Sequence, residues 1–407
     1  MDFSVFFQEQ QKLINKIETI KKRNLYFQIN WNSKMLAILG QRGVGKTTLM
    51  LQYIKENYFN KTTALYLSVD NPFFKNVSLY EFASEFENLG GKILFIDEIH
   101  KYKNWSEHIK SIYDSTDLKI VLSGSSILRI NKQNADLSRR LDIYKLGNLS
   151  FREYLLFNDI LSMEKPFSLE DILENHIETA GKIESKIKPL KYFRDYLTEG
   201  AYPFILEGKS RYNHKIIGII NQILEVDLPY ITNINYSQID KIKKLLYLIA
   251  TSVPFTPNIS KLSKATDISR PTLIEYLHHL EAAGIINLLS FKARGYKKIE
   301  KPDKIFLYNT NLMKAITFSP NTGNQRETFF VNQLKTYYSN KASFIDDNIL
   351  LSQNGDFLIE NKYIFEIGGK KKGFKQIKDL QNAFIAADDI EIGFQNKIPL
   401  YLFGLMY

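Results

Sequence analysis

The sequence predicts an α/β amino-terminal domain, a helical middle and an α+β carboxyl-terminal region. Three observations predict it. Apolar runs of strand length, MLAILG (35–40), TALYLSV (63–69), KILFIDE (92–98) and LKIVLSG (118–124), alternate with longer stretches of helical periodicity. That alternation is the signature of a parallel sheet covered by helices. Strand-like runs then vanish between 151 and 235, where FREYLLFNDIL (151–161) and HKIIGIINQILEVDL (214–228) are amphipathic at helical spacing. From about residue 311 one helical pattern precedes alternating strands.

These patterns divide the 407 residues, enough for several cores. Residues 1–30 hold an amino-terminal helix, expected over 8–23, and 31–150 the sheet domain. Residues 151–235 form a helical connector or lid, 236–310 a helix-turn-helix domain and 311–407 a separate α+β unit. VPFTPN (253–258) interrupts the helical pattern before the helix-turn-helix. A net charge of +10 permits a nucleic-acid partner. The absence of Cys excludes disulfides and thiolate metal sites and suits a reducing compartment. The six His show no H-x-x-x-H spacing. The first residues lack the cationic start and apolar core of a signal peptide, and no apolar run has membrane-spanning length. The expectation is a cytoplasmic, soluble protein without a membrane partner.

The segment ILGQRGVGKTTLM (38–50) fits the spacing G-x-x-x-x-G-K-[ST]. Such a phosphate loop needs a buried strand before it and a helix after it, so that backbone N–H groups at the helix start cradle phosphates. MLAILG supplies the strand and KTTLMLQYIKENY the helix. Gly40, Gln41, Arg42, Gly43, Val44, Gly45, Lys46, Thr47 and Thr48 are the expected nucleotide-binding residues. Lys46 reaches the β- and γ-phosphates, and the Thr47 hydroxyl holds Mg²⁺. A second acidic site supports the first. KILFIDE ends in Asp97 and Glu98, and adjacent acids at the end of a buried strand are costly unless they meet a cation or water. Asp97 is expected in the Mg²⁺ shell and Glu98 as the catalytic residue that orients the attacking water. The next strand ends in Ser123 and Ser125, either a γ-phosphate sensor or an ordinary strand-to-turn transition. Together the motifs imply a P-loop NTPase sheet that binds ATP.

GQRGVGKTT, ILFIDEIHKYKNW, VLSGSS, LSRRLDIYKLGNLSFREYL, GAYP and FEIGGKKKGFKQI, spread from residue 40 to 377, carry a resemblance. The chain resembles a prokaryotic family of AAA-superfamily ATPases with a carboxyl-terminal winged-helix and restriction-endonuclease-like region of unknown function. The resemblance implies that Arg140 matches a recurrent arginine. An arginine after the sensor strand either stabilises γ-phosphate charge, in its own subunit or in a neighbour of a homo-oligomer, or makes a remote ion pair. Arg139 stands beside it. GAYP (200–203) looks like a structural turn of that family.

In ISKLSKATDISRPTLIEYLHHLEAAGIINLL (259–289), Ser269 is the expected N-cap of a second helix and Pro271 lies in its first turn. Leu273, Leu277 and Leu280 face the core, and Gly284 suits the helix end. Arg270, Thr272, Glu275 and His279 are then expected toward solvent, the first two as DNA contacts. The following strand pair encloses a basic loop with Lys292, Arg294, Lys297, Lys298, Lys301 and Lys304. Such a wing either meets DNA phosphates or is simply solvated, and a protein client is the other partner to be weighed.

In the tail, Glu327 lies on a helix, and Asp356 and Glu366 lie on a hairpin, DFLIENKYIFEI, with its turn at Asn361 and Lys362. Restriction-type nucleases place acids this way to hold Mg²⁺, with a Lys two residues after the Glu. Gly368 occupies that position, and the next Lys of the same parity is Lys370. The unit therefore reads as degenerate. The expected activity is an ATP-dependent switch coupled to this carboxyl-terminal region. The alternatives are an ATP-regulated metal-dependent nuclease and a non-hydrolysing nucleotide-bound interaction module.

Overall fold

The computed structural model describes residues 1–124, 137, 139–231, 234–251, 256–291, 301–317, 320–341 and 348–407. Ser125, Lys292, Arg294, Lys297 and Lys298 lie outside the described residues. The chain forms two compact units, Met1–Gly147 and Asn148–Tyr407.

The first unit is built on five strands: β1 (Met35–Leu39), β2 (Ala64–Ser68), β3 (Ile93–Asp97), β4 (Lys119–Gly124) and β5 (Asp142–Lys145). All pair in parallel, in the order β2-β3-β4-β1-β5. The core residues of β1, β3 and β4 are buried on both faces, which is why they read as unbroken apolar runs. Helices α1 (Ser4–Asn15), α2 (Lys46–Asn57), α3 (Leu79–Asn88) and α4 (Trp105–Ser115) flank the sheet. Phe3 and Phe6 of the amino-terminal segment pack against Phe82, whose ring centroid lies 4.8 Å and 5.1 Å away.

In the first unit two features differ from the sequence expectation. The helix expected over 8–23 starts at Ser4 and ends at Asn15. Beyond it, side chains of α2 capture backbone carbonyls that a longer helix would have used internally: Lys55 Nζ donates to Ile17 O (2.6 Å), and Gln52 Nε2 to Glu18 O (2.7 Å) and Lys21 O (2.9 Å). The short edge strand β5 had no apolar signal, because its residues are largely exposed and only its pairing with β1 defines it.

In the second unit, the stretch expected to be helical contains α5 (Phe151–Phe157), α6 (Leu169–Glu184), α7 (Pro189–Glu199) and α8 (Tyr212–Gln222). Ser150 with Glu153, and Ser168 with Asp171, form capping boxes at the starts of α5 and α6. After α9 (Leu228–Ile231) and α10 (Tyr236–Thr251) come α11 (Ile259–Thr266) and α12 (Arg270–Ala282), joined by a turn with Asp267 at φ 54°. Ser269 Oγ accepts from Thr272 N as the expected N-cap, and Leu273, Leu277 and Leu280 are fully buried. His279 is buried too, against the sequence expectation. Tyr276, three residues before it on the same side of α12, is buried as well, so the buried stripe is wider than the three leucines implied. β6 (Ile286–Leu289) and β7 (Lys304–Leu307) pair antiparallel behind these helices.

The tail carries α13 (Thr310–Thr317) as well as the expected helix, α14 (Thr322–Tyr338). Its strands, β8 (Ile349–Leu351), β9 (Phe357–Ile359), β10 (Tyr363–Gly368), β11 (Ala383–Ala387) and β12 (Lys397–Pro399), form a mixed sheet in the order β12-β11-β10-β9-β8. Phe330 of α14 packs on Phe365 and Phe357. The β9–β10 hairpin forms as expected, but its corner is Glu360–Asn361, both left-handed (φ 53° and 55°), and Lys362 already returns to bond Ile359 O.

Candidate nucleotide-binding site

Strand order creates the site. β1 leads to β2 three places to one side, whereas β4, its neighbour, leads to β5 on the other side. Connections that diverge from adjacent parallel strands open a crevice at their carboxyl ends, where ligands of α/β sheets bind. The loop after β1 lies there. Gly45, at φ 97°, takes a left-handed conformation that turns the chain into α2, so the helix amino terminus opens onto the loop. Gly40 is required for another reason: a Cβ on it would lie 2.3 Å from Leu146 O, the carbonyl following β5.

Lys46 begins α2 and is buried, with Nζ donating to Gly40 O (3.0 Å) and Gln41 O (3.1 Å). Thr47 Oγ1 donates to Asp97 Oδ2 at 2.6 Å, joining the loop to the end of β3. Ser123 stands on β4, the strand between β1 and β3, and its hydroxyl donates to Asp97 Oδ1. The structure thus brings Lys46, Thr47, Asp97 and Ser123 together. Glu98 follows at φ 55°, a left-handed conformation uncommon for glutamate. Its backbone N–H donates to Asp97 Oδ1 (3.0 Å). Burial raises the Glu98 pKa above its ordinary value. The Lys46, Arg42 and Lys101 charges act in the opposite direction, and Asp97 adds to the rise.

Three further residues had no motif to announce them. Tyr66 OH donates to Asp97 Oδ2 at 2.8 Å from neighbouring β2, and its own pKa is raised by burial and by the Asp97 charge. His100 is buried with Nε2 3.5 Å from Glu98 Oε2. Arg23 is buried and donates to Val44 O (2.6 Å) within the loop and to Gly147 O (2.8 Å). Only the pairing of β2 with β3 and the return of the amino-terminal segment over α2 place Tyr66 and Arg23 here.

Arg140 is not brought to the site. It precedes β5, whose Asp142 pairs with Leu36 near the start of β1, so it lies at the amino-terminal end of the strands, opposite the loop. Its guanidinium pairs with Asp114 (3.3 Å) in the last turn of α4 and lies over the Tyr113 ring. Arg139 is exposed.

In the tail, Glu327, Asp356 and Glu366 do converge: the Asp356 and Glu366 charges act on Glu327, and the Asp356 charge acts on Glu366. Glu327 is paired with Lys304 at 2.6 Å. Glu366 is paired with Lys372, not with Lys370, whose carbonyl instead accepts from Lys397 Nζ. The missing side chain at Gly368 makes room for this: a Cβ there would lie 2.6 Å from Lys372 Cβ. Asp356 Oδ2 accepts from Ile367 N (2.7 Å). Burial raises the pKa of both Glu327 and Glu366. Among the described residues no group of three His, Cys, Asp or Glu side chains is arranged to hold a metal ion, and no helix is long and apolar enough to cross a membrane.

Residues 190–323 match a family described only as a domain of unknown function. The chain is similar to an uncharacterised protein of Methanocaldococcus jannaschii, 26% identical over 398 residues that cover 91% of this chain and 82% of that protein. Among solved structures it is similar to DnaA from Aquifex aeolicus, with 14% identity, a TM-score of 0.26 and coverage of 69% of this chain and 88% of that one. It is similar also to PCH-2 from C. elegans, with 15% identity, a TM-score of 0.24 and coverage of 68% and 67%. Residues 32–155, which carry the loop, both acids and β5, match the family described as AAA domain. That match falls on the amino-terminal unit and supports a nucleotide-binding, ATPase-type reading of it.

Proposed function

We propose that the chain hydrolyses ATP and uses the nucleotide state to switch its carboxyl-terminal region, which contacts DNA. The observation that carries the first part is the convergence of Lys46, Thr47, Asp97 and Glu98 at the crevice beside β4. Thr47 and Asp97 offer adjacent hard oxygen donors that fit Mg²⁺. The ion, when bound, neutralises charge on the β- and γ-phosphates. Lys46 and the α2 amino terminus bind the phosphates. Glu98 holds the attacking water, Ser123 fixes Asp97, and hydrolysis yields ADP and phosphate.

For DNA contact, support comes from the exposed Arg270 at the start of α12, with the half-buried Thr272 two residues on. Arg270 and Lys301 line one hollow together with Thr256, Asn258 and Ser260, polar groups suited to a phosphate. Exposed Glu275 on the same helix weakens that surface for DNA. The nuclease alternative has the convergence of Glu327, Asp356 and Glu366 in its favour, but Lys304 and Lys372 already neutralise two of those carboxylates.

The test is ATP turnover by the purified chain with Mg²⁺, with and without DNA, beside Lys46→Ala. Turnover raised by DNA and lost in the variant is the expected result. DNA-independent turnover points to a protein client, and turnover no higher than the variant's sinks the hydrolase reading. Mg²⁺-dependent cutting of nucleic acid that disappears in Asp356→Ala would establish the nuclease instead.

A further inference from the structure

With Arg140 at the end of the strands opposite the loop, another arginine stands in the loop itself. Arg42 is the third residue of the loop, and only 18% of its side chain is exposed. Its Nη2 lies 3.9 Å from Glu98 Oε2, an ion-pair distance too long for a hydrogen bond. That carboxylate oxygen is buried and accepts no hydrogen bond, although His100 Nε2 (3.5 Å) and Lys101 Nζ (3.9 Å) also approach it. Lys46 acts on the same carboxylate electrostatically. Arg42 and Lys46, two residues of one loop, therefore both act on Glu98. A phosphate offers a guanidinium two parallel charge-assisted hydrogen bonds, a stronger interaction than an ion pair at the 3.9 Å that separates Arg42 from Glu98.

We infer that Arg42 is the catalytic arginine of this chain, binding the γ-phosphate of the nucleotide held by its own loop. The inference rests on the ATP hydrolysis reading. In the step it serves, the water oxygen bonds to the γ-phosphorus as the bond from that phosphorus to the β,γ-bridging oxygen breaks. The broken bond's electron pair stays on the departing ADP, and the water proton passes to the Glu98 carboxylate and then to solvent. Arg42 stabilises charge on the γ-phosphate oxygens through this step. Drawing its guanidinium onto the phosphate also leaves Glu98 Oε2 to the attacking water.

The full chain is tested with Mg²⁺-ATP as wild type, Arg42→Ala, Arg42→Lys and Lys46→Ala. Arg42→Ala is expected to lower kcat by about 10²-fold or more, while a non-hydrolysable ATP analogue still binds within a few-fold of wild type. Arg42→Lys, which keeps the charge but loses the fork, is expected between the two. Mixing Arg42→Ala with Lys46→Ala is expected to restore nothing, because each loop needs its own arginine. Recovery on mixing would overturn the inference by showing an arginine supplied across subunits. So would wild-type turnover in Arg42→Ala, or loss of turnover in Arg140→Ala alone. Those results leave the hydrolase reading standing. A wild type no faster than Lys46→Ala removes both.

Discussion

Asp97 draws donors from four places: Thr47 Oγ1, Tyr66 OH, Ser123 Oγ and its own neighbour Glu98 N. A buried carboxylate so surrounded is held in one orientation, and each donor that leaves frees it to turn. Tyr66→Phe keeps the ring and removes one donor. It is expected to cost about 1 kcal/mol of stability and to raise the Mg²⁺ needed for half-maximal turnover about tenfold or more. Magnesium titrations of ATP hydrolysis check this. Gly40→Ala tests the close approach of Leu146 O, 2.3 Å from the added Cβ. The loop or the strand after it must shift, with an expected cost of about 2 kcal/mol or more and loss of fluorescent-nucleotide binding. Lys46, Thr47, Asp97 and Glu98 were legible because their spacing beside apolar runs is local chemistry. Tyr66 was not, since an aromatic in a strand is ordinary until pairing sets Ser68 opposite Asp97. Lys372 was hidden similarly: parity along β10 pointed to Lys370, and only the space over Gly368 admits the later lysine.

Among the elements, the segment after α1 does more than lead into the sheet. Arg23 holds both Val44 O in the loop and Gly147 O at the end of the first unit. Arg23→Ala is expected to destabilise that unit by about 3 kcal/mol, since each lost bond came from a charged donor to a buried carbonyl. Chemical denaturation followed at Trp31 and Trp105, both in that unit, reads it. In the second unit Asn311 holds the first half of the GAYP turn, and the Tyr212 hydroxyl accepts from Tyr202 N (3.0 Å) in the second. Asn311 Oδ1 accepts from Gly200 N (2.8 Å), Ala201 N (2.8 Å) and Tyr212 OH (2.6 Å), while Nδ2 donates to Tyr196 O and Leu197 O, both 3.0 Å. Asn311→Ala removes all five bonds at once, with an expected cost of about 3 kcal/mol. Far-UV circular dichroism during thermal unfolding checks it. Helix existence was legible in this unit through periodicity and the cap at Ser269. The strand β5 and the burial of His279 were not, because neither follows from local spacing.

At the scale of the whole molecule, contacts between residues far apart in sequence set the response to pH. His176 on α6 donates from Nε2 to Gln395 O (2.8 Å) just before β12, across 219 positions of sequence. That bond fixes the neutral tautomer with its proton on Nε2, and Nδ1 is buried without a hydrogen-bond partner. Burial lowers the His176 pKa, the Gln395 carbonyl opposing it. A folded-state pKa below the unfolded value of about 6.5 gives stability that is complete above that value and is lost as pH falls through the folded pKa. The melting temperature is therefore expected to fall on acidification below about pH 6.5. His176→Gln, which has no proton to take up, is expected to flatten that slope relative to wild type. The sequence by itself determined the α/β amino-terminal class, the phosphate loop, the two acids after β3 and the helical middle, because each is written in residues a few positions apart. Tertiary structure alone decided which side chains complete the site. Strand order sets Ser123 and Tyr66 on Asp97, the register of β5 leaves Arg140 at the opposite end of the strands, and the fold of the loop brings Arg42 to Glu98. Those contacts depend on pairing and packing between distant segments, and no local pattern encodes them.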